Sequence, residues 1–400
     1  MVKMESRHQE EETWSSTPLD VIVCIGGLLD KDGVKDLRLL NKHWSNSIDS
    51  MVRNVRITHR AIAATGSFSS VVKLVGQKFR CLESLKGESW GLHIETEDIE
   101  HISNLQRLTN LDMWHTKFSE SGLRSFSKLG NLKSLRLGWT EITDDSVEIL
   151  VALPKLESLD VGGTQIGDAG LVHIAKVASL TSLDLWGTKV TDAGLEYVSR
   201  LRKLKFCNLW QTSVGDIGAS HLAKLQNLEG LDLHQTCVGD EGLHHIAKLK
   251  GLTSLSLSGK RIGDAGAESL SALTSLTSLS LRATMVSDRG MKWCASLVNL
   301  KSLCLQGARI GDLGVCNLKN LSNLRSLDLQ GSCVGTRGVE HLIRLTKLTS
   351  LNLCKTRIQD HGVEYLSSLT NLTSLNIAST YVSREGRNLL TTWTSLFLRC

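Results

Sequence analysis

"GGTQIGDAGLVHIAKVASLTSLDL" occupies Gly162–Leu185, and its reading decides the fold. Its glycines lie between an apolar run and a helical pattern, as they would in a phosphate-cradling loop. Such a loop stands once in a chain, at the head of one helix, with a lysine to meet the phosphates. Here the pattern returns: "KVTDAGLEYVSRLRKLKFCNL" begins at Lys189, "RIGDAGAESLSALTSLTSLSL" at Arg261 and "RIGDLGVCNLKNLSNLRSLDL" at Arg309. The stretch is one turn of a repeat, not a ligand loop.

Leucines keep a spacing of 24 from Leu108 through Leu132, Leu156 and Leu180 to Leu372 and Leu396, which makes 12 repeats (396 − 108 = 288 residues). An irregular repeat around Leu82, Leu85, Ile94, Ile99 and Ile102 precedes them, a couple of residues off register, as terminal repeats often are. Each repeat reads L-x-x-L-x-L-x-x-T-x-[IV]-x-D-x-G-[LV]-x-x-[IL]-x-x-L. The first part alternates apolar and polar residues, which predicts a short strand with one buried face. Leu183 and Leu185 would point inward, and Ser182, Asp184 and Trp186 outward. The second part carries Leu195, Val198 and Leu201 at spacing three and predicts a short helix packed on the strands. The aspartate column (Asp144, Asp168, Asp192, Asp216, Asp240, Asp264, Asp288, Asp312, Asp360) reads as helix N-caps, and Gly194 as a point where the neighbouring coil comes close. One such unit cannot cover its own apolar face; the next coil does.

The pattern resembles the leucine-rich repeat, over about three quarters of the chain. Thr116, Thr140, Thr164, Thr188, Thr212, Thr236, Thr284, Thr356 and Thr380 fill that family's Asn/Cys/Thr column, where the resemblance implies a hydrogen bond from the side chain to backbone at the turn leaving the strand. Lys260 and Ala308 break the column, so a local flaw is expected at those coils. The expected fold is an α/β horseshoe, a leucine-rich-repeat solenoid of 12 to 13 coils over residues 81–400.

Residues 17–57 do not repeat. Val21, Ile22, Ile25, Leu28 and Leu29 make one helical stripe, and Val34, Leu37, Leu40 and Trp44 a second, with Gly33 between them. This predicts a helical hairpin too small to bury a stable core alone, after a flexible N-terminus (1–16) and before a joining segment (58–80). The hairpin resembles an F-box: Pro18-x-Asp20-Val21-Ile22-x-x-Ile25 matches that family's opening, and Leu37-Arg38-x-Leu40-Asn41-Lys42-x-Trp44 its close. Thr17 and Gly33-Val34 depart from the pattern. An F-box followed by leucine-rich repeats is similar to the substrate receptors of SCF-type ubiquitin ligases, and the "GDAGL" repeats also resemble GALA-type repeats of bacterial F-box effectors. The resemblance implies that Pro18, Ile22, Ile25, Leu37 and Trp44 meet a Skp-type adaptor carrying a cullin complex, while the repeats hold a protein substrate. The competing reading is a plain interaction scaffold in which the hairpin caps the first coil.

Within the repeats, substrate contact is expected where exposed aromatic side chains line the strand face: Trp114, Trp139, Trp186, Trp210 and His234, with Arg136 between Asp112 and Asp160. Trp114, Trp186 and Trp210 span four coil steps, roughly 19 Å at about 4.8 Å per strand. The aspartates there favour a basic or aromatic substrate segment over a phosphorylated one. Arg282, Gln306 and Gln330 mark the alternative site.

Every candidate nucleophile or acid recurs as a column of the repeat, so no enzyme activity and no cofactor are expected. His173, His221 and His245 share one repeat position but sit on different coils, too far apart for zinc–nitrogen bonds of about 2.0–2.1 Å; they read as a polar ridge. "RLRKLK" (Arg200–Lys205) reads as cations at a helix end. A net charge of +5 on 400 residues singles out no nucleic acid. Ten scattered cysteines without a C-x-x-C pair fit a reducing compartment. No apolar leader opens the chain and no run reaches a membrane-spanning length of about 20 residues. The expected place is therefore the cytoplasm or nucleus, away from membranes.

Overall fold

The computed structural model describes residues 53–57, 68–87, 93–390 and 397–399. The chain divides into two compact units, Met1–Gln165 and Ile166–Cys400.

In the first unit, strands Asn54–Ile57, Ser84–Gly87, Asn110–Asp112, Ser134–Arg136 and Ser158–Asp160 pair in sequence order, all parallel. A second short pair, His93–Ile94 with Lys117–Phe118, lies outside this sheet. In the second unit the parallel sheet runs, again in sequence order, from Ser182–Asp184 through Phe206–Asn208 and Gly230–Leu233 to Ser374–Asn376 and Phe397–Arg399. Leucine pairs with leucine across most of its neighbouring strands, as at Leu255 and Leu279. The strand phase is the one the alternation implies. Leu183 and Leu185 are buried at 1% and 0% exposure, whereas Ser182, Asp184 and Trp186 keep part of their surface in water.

The threonine column does what the resemblance implied. Thr164 and Thr188 hydroxyls each donate to the carbonyl three residues back (Val161 and Leu185) at 2.6 Å. At the two broken positions the outcomes differ. Ala308 keeps the turn through its own N–H to Leu305 (3.0 Å), losing only the side-chain bond. Around Lys260 the strand is longer, Ser254–Ser258, and Gly259 takes φ +114°.

The aspartate column is a correction. Asp192 is the first residue of its helix (Asp192–Val198), and Thr191 is the N-cap. The Asp192 carboxylate instead accepts the N–H of Gly215, the N-cap of the following helix, at 2.6 Å. Asp216 accepts two such bonds, from Gly239 (2.7 Å) and Gly242 (2.9 Å). These aspartates therefore cap the helix of the next coil, where glycine at the N-cap offers no oxygen of its own. The glycine column is what allows it: a Cβ on Gly242 would stand 2.6 Å from Asp216 Oδ1.

Both ends depart from the expected boundaries. Residues 54–57, assigned above to the helical hairpin, form a strand. Helix Phe68–Lys78, in the supposed join, buries Val71, Val72 and Val75. The sheet thus starts well before residue 81, with a coil that the 24-residue register does not reveal because its strand pairs at an offset of 30 (Asn54 with Ser84). At the other end Phe397 pairs with Ser374, an offset of 23, so the last coil is one residue short and Leu398 takes the place opposite Leu375. The F-box-like positions Pro18, Ile22, Ile25, Leu37 and Trp44 lie outside the described residues.

Candidate protein-interaction face

In most of the described coils an aspartate or asparagine in the strand fixes the turn that follows it. Its Oδ1 accepts the N–H two residues on: Asp184 from Trp186 (3.1 Å), Asn208 from Trp210 (3.0 Å), Asp232 from His234 (2.8 Å). This short loop is the local device by which Asp and Asn favour turns. It delivers Trp186, Trp210 and His234 to the same station on consecutive coils of the second unit. A left-handed residue follows that station on nearly every coil, and the glycines Gly163, Gly187, Gly307 and Gly331 (φ +62 to +68°) are its sequence mark.

The second unit brings these three side chains together. Trp186 and Trp210 stack with centroids 5.4 Å apart and planes 23° from parallel. Trp210 meets His234 edge-on at 6.5 Å, and its indole N–H donates to Gln235 Oε1 at 2.9 Å. Phe206 completes the surface at 49% exposure, with Trp210 at 38%. Phe206 was missed in the sequence, although the signal was there: its column is mostly serine, and the next strand places Gly230 in it. A Cβ on Gly230 would stand 2.7 Å from the Phe206 ring, so the glycine makes room for the aromatic to lie over its neighbour.

In the first unit, Trp114 contacts His115 at 5.5 Å, and His115 meets Trp139 edge-on at 6.2 Å. Trp139 is half exposed because it occupies the left-handed station (φ +58°), one residue beyond the column of Trp114. Arg136 is engaged as its neighbours suggested, Nη1 to Asp112 at 2.9 Å and Nε to Asp160 at 3.1 Å. Burial opposes its charge, but the two carboxylates outweigh it and hold the guanidinium pKa above the usual value.

Burial raises the Asp232 carboxyl, against the N–H of His234 and the Ser256 hydroxyl. Burial lowers His234, and Asp232 only partly restores it. The Cys207 thiol, buried beneath this face and beside Asp184, is pushed up to about 12, where almost no thiolate forms near neutrality. Among the described residues no three His, Cys, Asp or Glu side chains gather as metal ligands. His221 and His245 instead share hydrogen bonds with Lys224 (3.3 Å) and Lys248 (3.4 Å), each just past the end of its helix. In the basic run, Arg202 donates to the Lys224 carbonyl at 2.7 Å, just past the next helix, and Lys205 pairs with Glu229. No helix among the described residues is long and apolar enough to cross a membrane.

Short parallel strands, one per coil, with a turn and a brief helix between them, define a leucine-rich-repeat fold. A leucine-rich repeat family model matches residues 152–175, 178–199, 251–271, 320–342 and 344–367. The structure is similar to that of an internalin from Listeria monocytogenes str. 4b F2365, at 21% identity over 83% of this chain and 93% of that one, with a TM-score of 0.63. It is also similar to a leucine-rich-repeat protein of Leptospira interrogans, at 16% identity over 90% of this chain and 98% of the other, TM-score 0.59. At such identities the likeness is one of fold. No curated protein sequence matches the chain.

Proposed function

We propose that this chain is the substrate-recognition subunit of an SCF-type ubiquitin ligase, an interaction protein whose chemistry lies on other subunits. The observation that carries the recognition half is the row of Trp186, Trp210 and His234 on the sheet of the second unit, with Phe206 exposed nearby on the strand that leads to Trp210. Nothing in the repeat's own packing calls for aromatics at a station that serine, glutamine or alanine fills elsewhere. Exposed aromatic clusters anchor partners because they supply area with little rotamer entropy to lose. The adaptor half rests on the F-box-like residues Pro18, Ile22, Ile25, Leu37 and Trp44. With Asp184 and Asp232 bordering the aromatics, the substrate segment is basic or aromatic. The reading places the protein in the cytoplasm or nucleus.

Co-purification with a Skp-type adaptor tests the first half. Wild-type protein should retain the adaptor, and Ile22→Ala with Ile25→Lys should release it while circular dichroism stays unchanged. Trp186→Ala with Trp210→Ala should lose substrate and keep adaptor. A wild-type chain that binds no adaptor leaves an interaction scaffold alone, and a double-tryptophan variant with its full set of bound proteins removes the aromatic face as the site.

A further inference from the structure

The turns between strand and helix in the second unit carry a surface that the aromatic face does not use. One backbone bond per coil holds them in register: Met285 N–H to Ile262 O (2.8 Å), Arg309 to Val286 (3.0 Å), Cys333 to Ile310 (2.8 Å) and Arg357 to Val334 (2.8 Å). Residues 261, 285, 309, 333 and 357 therefore form one column, and residues four further on form a second. Read coil by coil, the two columns are Arg261 with Ala265, Met285 with Arg289, Arg309 with Leu313, Cys333 with Arg337, and Arg357 with His361. Five consecutive coils each present one exposed arginine, and its position alternates between the columns.

None of the five arginines forms an ion pair with a described residue. The aspartates of the same turns are turned toward backbone donors of the next coil: Asp264, Asp288, Asp312 and Asp360 accept the N–H groups of Ser287, Gly311, Gly335 and Ser383, each at 2.7 Å. Between Asp312 and Asp360 the same position holds Thr336. Between the arginines lie apolar or soft side chains, Leu313 (76% exposed), Met285 and Cys333.

We propose that this zigzag of arginines is a docking surface for an extended acidic segment of a partner polypeptide. Two arginines of one column are separated by two coils, about 10 Å at the spacing of parallel strands. A chain in the extended polyproline II conformation, with three residues per turn and a rise of about 3.1 Å, presents the same face every third residue, at about that distance. A segment with Asp or Glu at every third position thus meets Arg261, Arg309 and Arg357 in turn, each guanidinium able to hold a carboxylate through paired N–H donors. Its intervening side chains fall against Met285, Leu313 and Cys333. A single-stranded nucleic acid is the poorer fit: such sites stack bases on aromatic rings, and neither column holds Phe, Tyr or Trp between Arg261 and His361.

Fluorescence anisotropy with the full-length protein and labelled synthetic peptides tests this. A peptide with glutamate at every third position should bind at least about tenfold more tightly than one of the same composition with its glutamates clustered, and more weakly as salt rises. Arg261→Glu, Arg309→Glu and Arg357→Glu together should weaken it by more than about tenfold. The Arg→Gln triple variant, which leaves no new charge, should show a smaller loss in the same direction at an unchanged melting temperature. The proposal is overturned if the two peptides bind alike, if both triple variants retain wild-type affinity, or if a poly-thymidine oligonucleotide displaces the spaced peptide at lower concentration than the unlabelled peptide does.

Discussion

Gly242 and Gly362 occupy the same position of the repeat, five coils apart. A Cβ on Gly242 would stand 2.6 Å from Asp216 Oδ1, an atom already bonded to the Gly239 and Gly242 N–H groups. A Cβ on Gly362 would find its nearest neighbour, Thr336 Oγ1, at 3.5 Å, an ordinary contact. The difference comes from one side chain of the preceding coil. With aspartate there, the carboxylate caps the next helix and needs glycine beneath it. With threonine, a weaker bond remains (Gln359 N–H to Thr336 Oγ1, 3.2 Å) and the glycine has no such neighbour. Where an aspartate stands on the preceding coil, it is therefore the aspartate that requires the glycine.

The core sets the ceiling for any such change. Leu185→Ala should cost about 2–5 kcal/mol in denaturant unfolding, more than any substitution at the turns; an equal cost for Gly242→Ala would mean that the aspartate cap between coils rivals the core. Gly242→Ala should cost about 1–3 kcal/mol by overpacking. The double variant with Asp216→Thr should recover most of that loss, and additive costs in the cycle would refute the coupling. Trp186→Ala should cost about 0.5–1.5 kcal/mol, the worth of its stacking on Trp210. Gly362→Ala should be neutral or stabilise by up to about 1 kcal/mol, since alanine is the better helix former, and it should become costly once Thr336→Asp is added.

The smallest effect is electrostatic. Asp232 holds its proton more tightly folded than unfolded because it is buried, so its contribution to stability falls as pH rises from the unfolded value through the raised one. Asn can accept the His234 N–H as Asn208 accepts that of Trp210. Asp232→Asn should then gain stability above that window and lose the advantage below it, as thermal melts across pH would show. An advantage independent of pH would point to packing instead.

Much of the fold was legible because it is local. The L-x-L alternation placed Leu183 and Leu185 in the core, and the i to i−3 threonine bonds followed from a single turn. The candidate face was half legible. Tryptophans at one station could be counted in the sequence, and Arg136 could be placed between two aspartates. Phe206 escaped because its meaning depends on Gly230 beside it. The strand at Asn54–Ile57 escaped because its offset from the next strand is not 24.

The 24-residue register, the strand phase and the choice of residues for the turns were therefore written in the sequence, since each depends on neighbours a few residues away. Which helix an aspartate caps, which glycines cannot be replaced, how Trp186 lies on Trp210 and how five arginines alternate along one edge were decided by tertiary structure. Those interactions join residues of neighbouring coils. Their distances depend on how one coil settles on the last, with strands about 4.8 Å apart, and no local periodicity encodes that stacking.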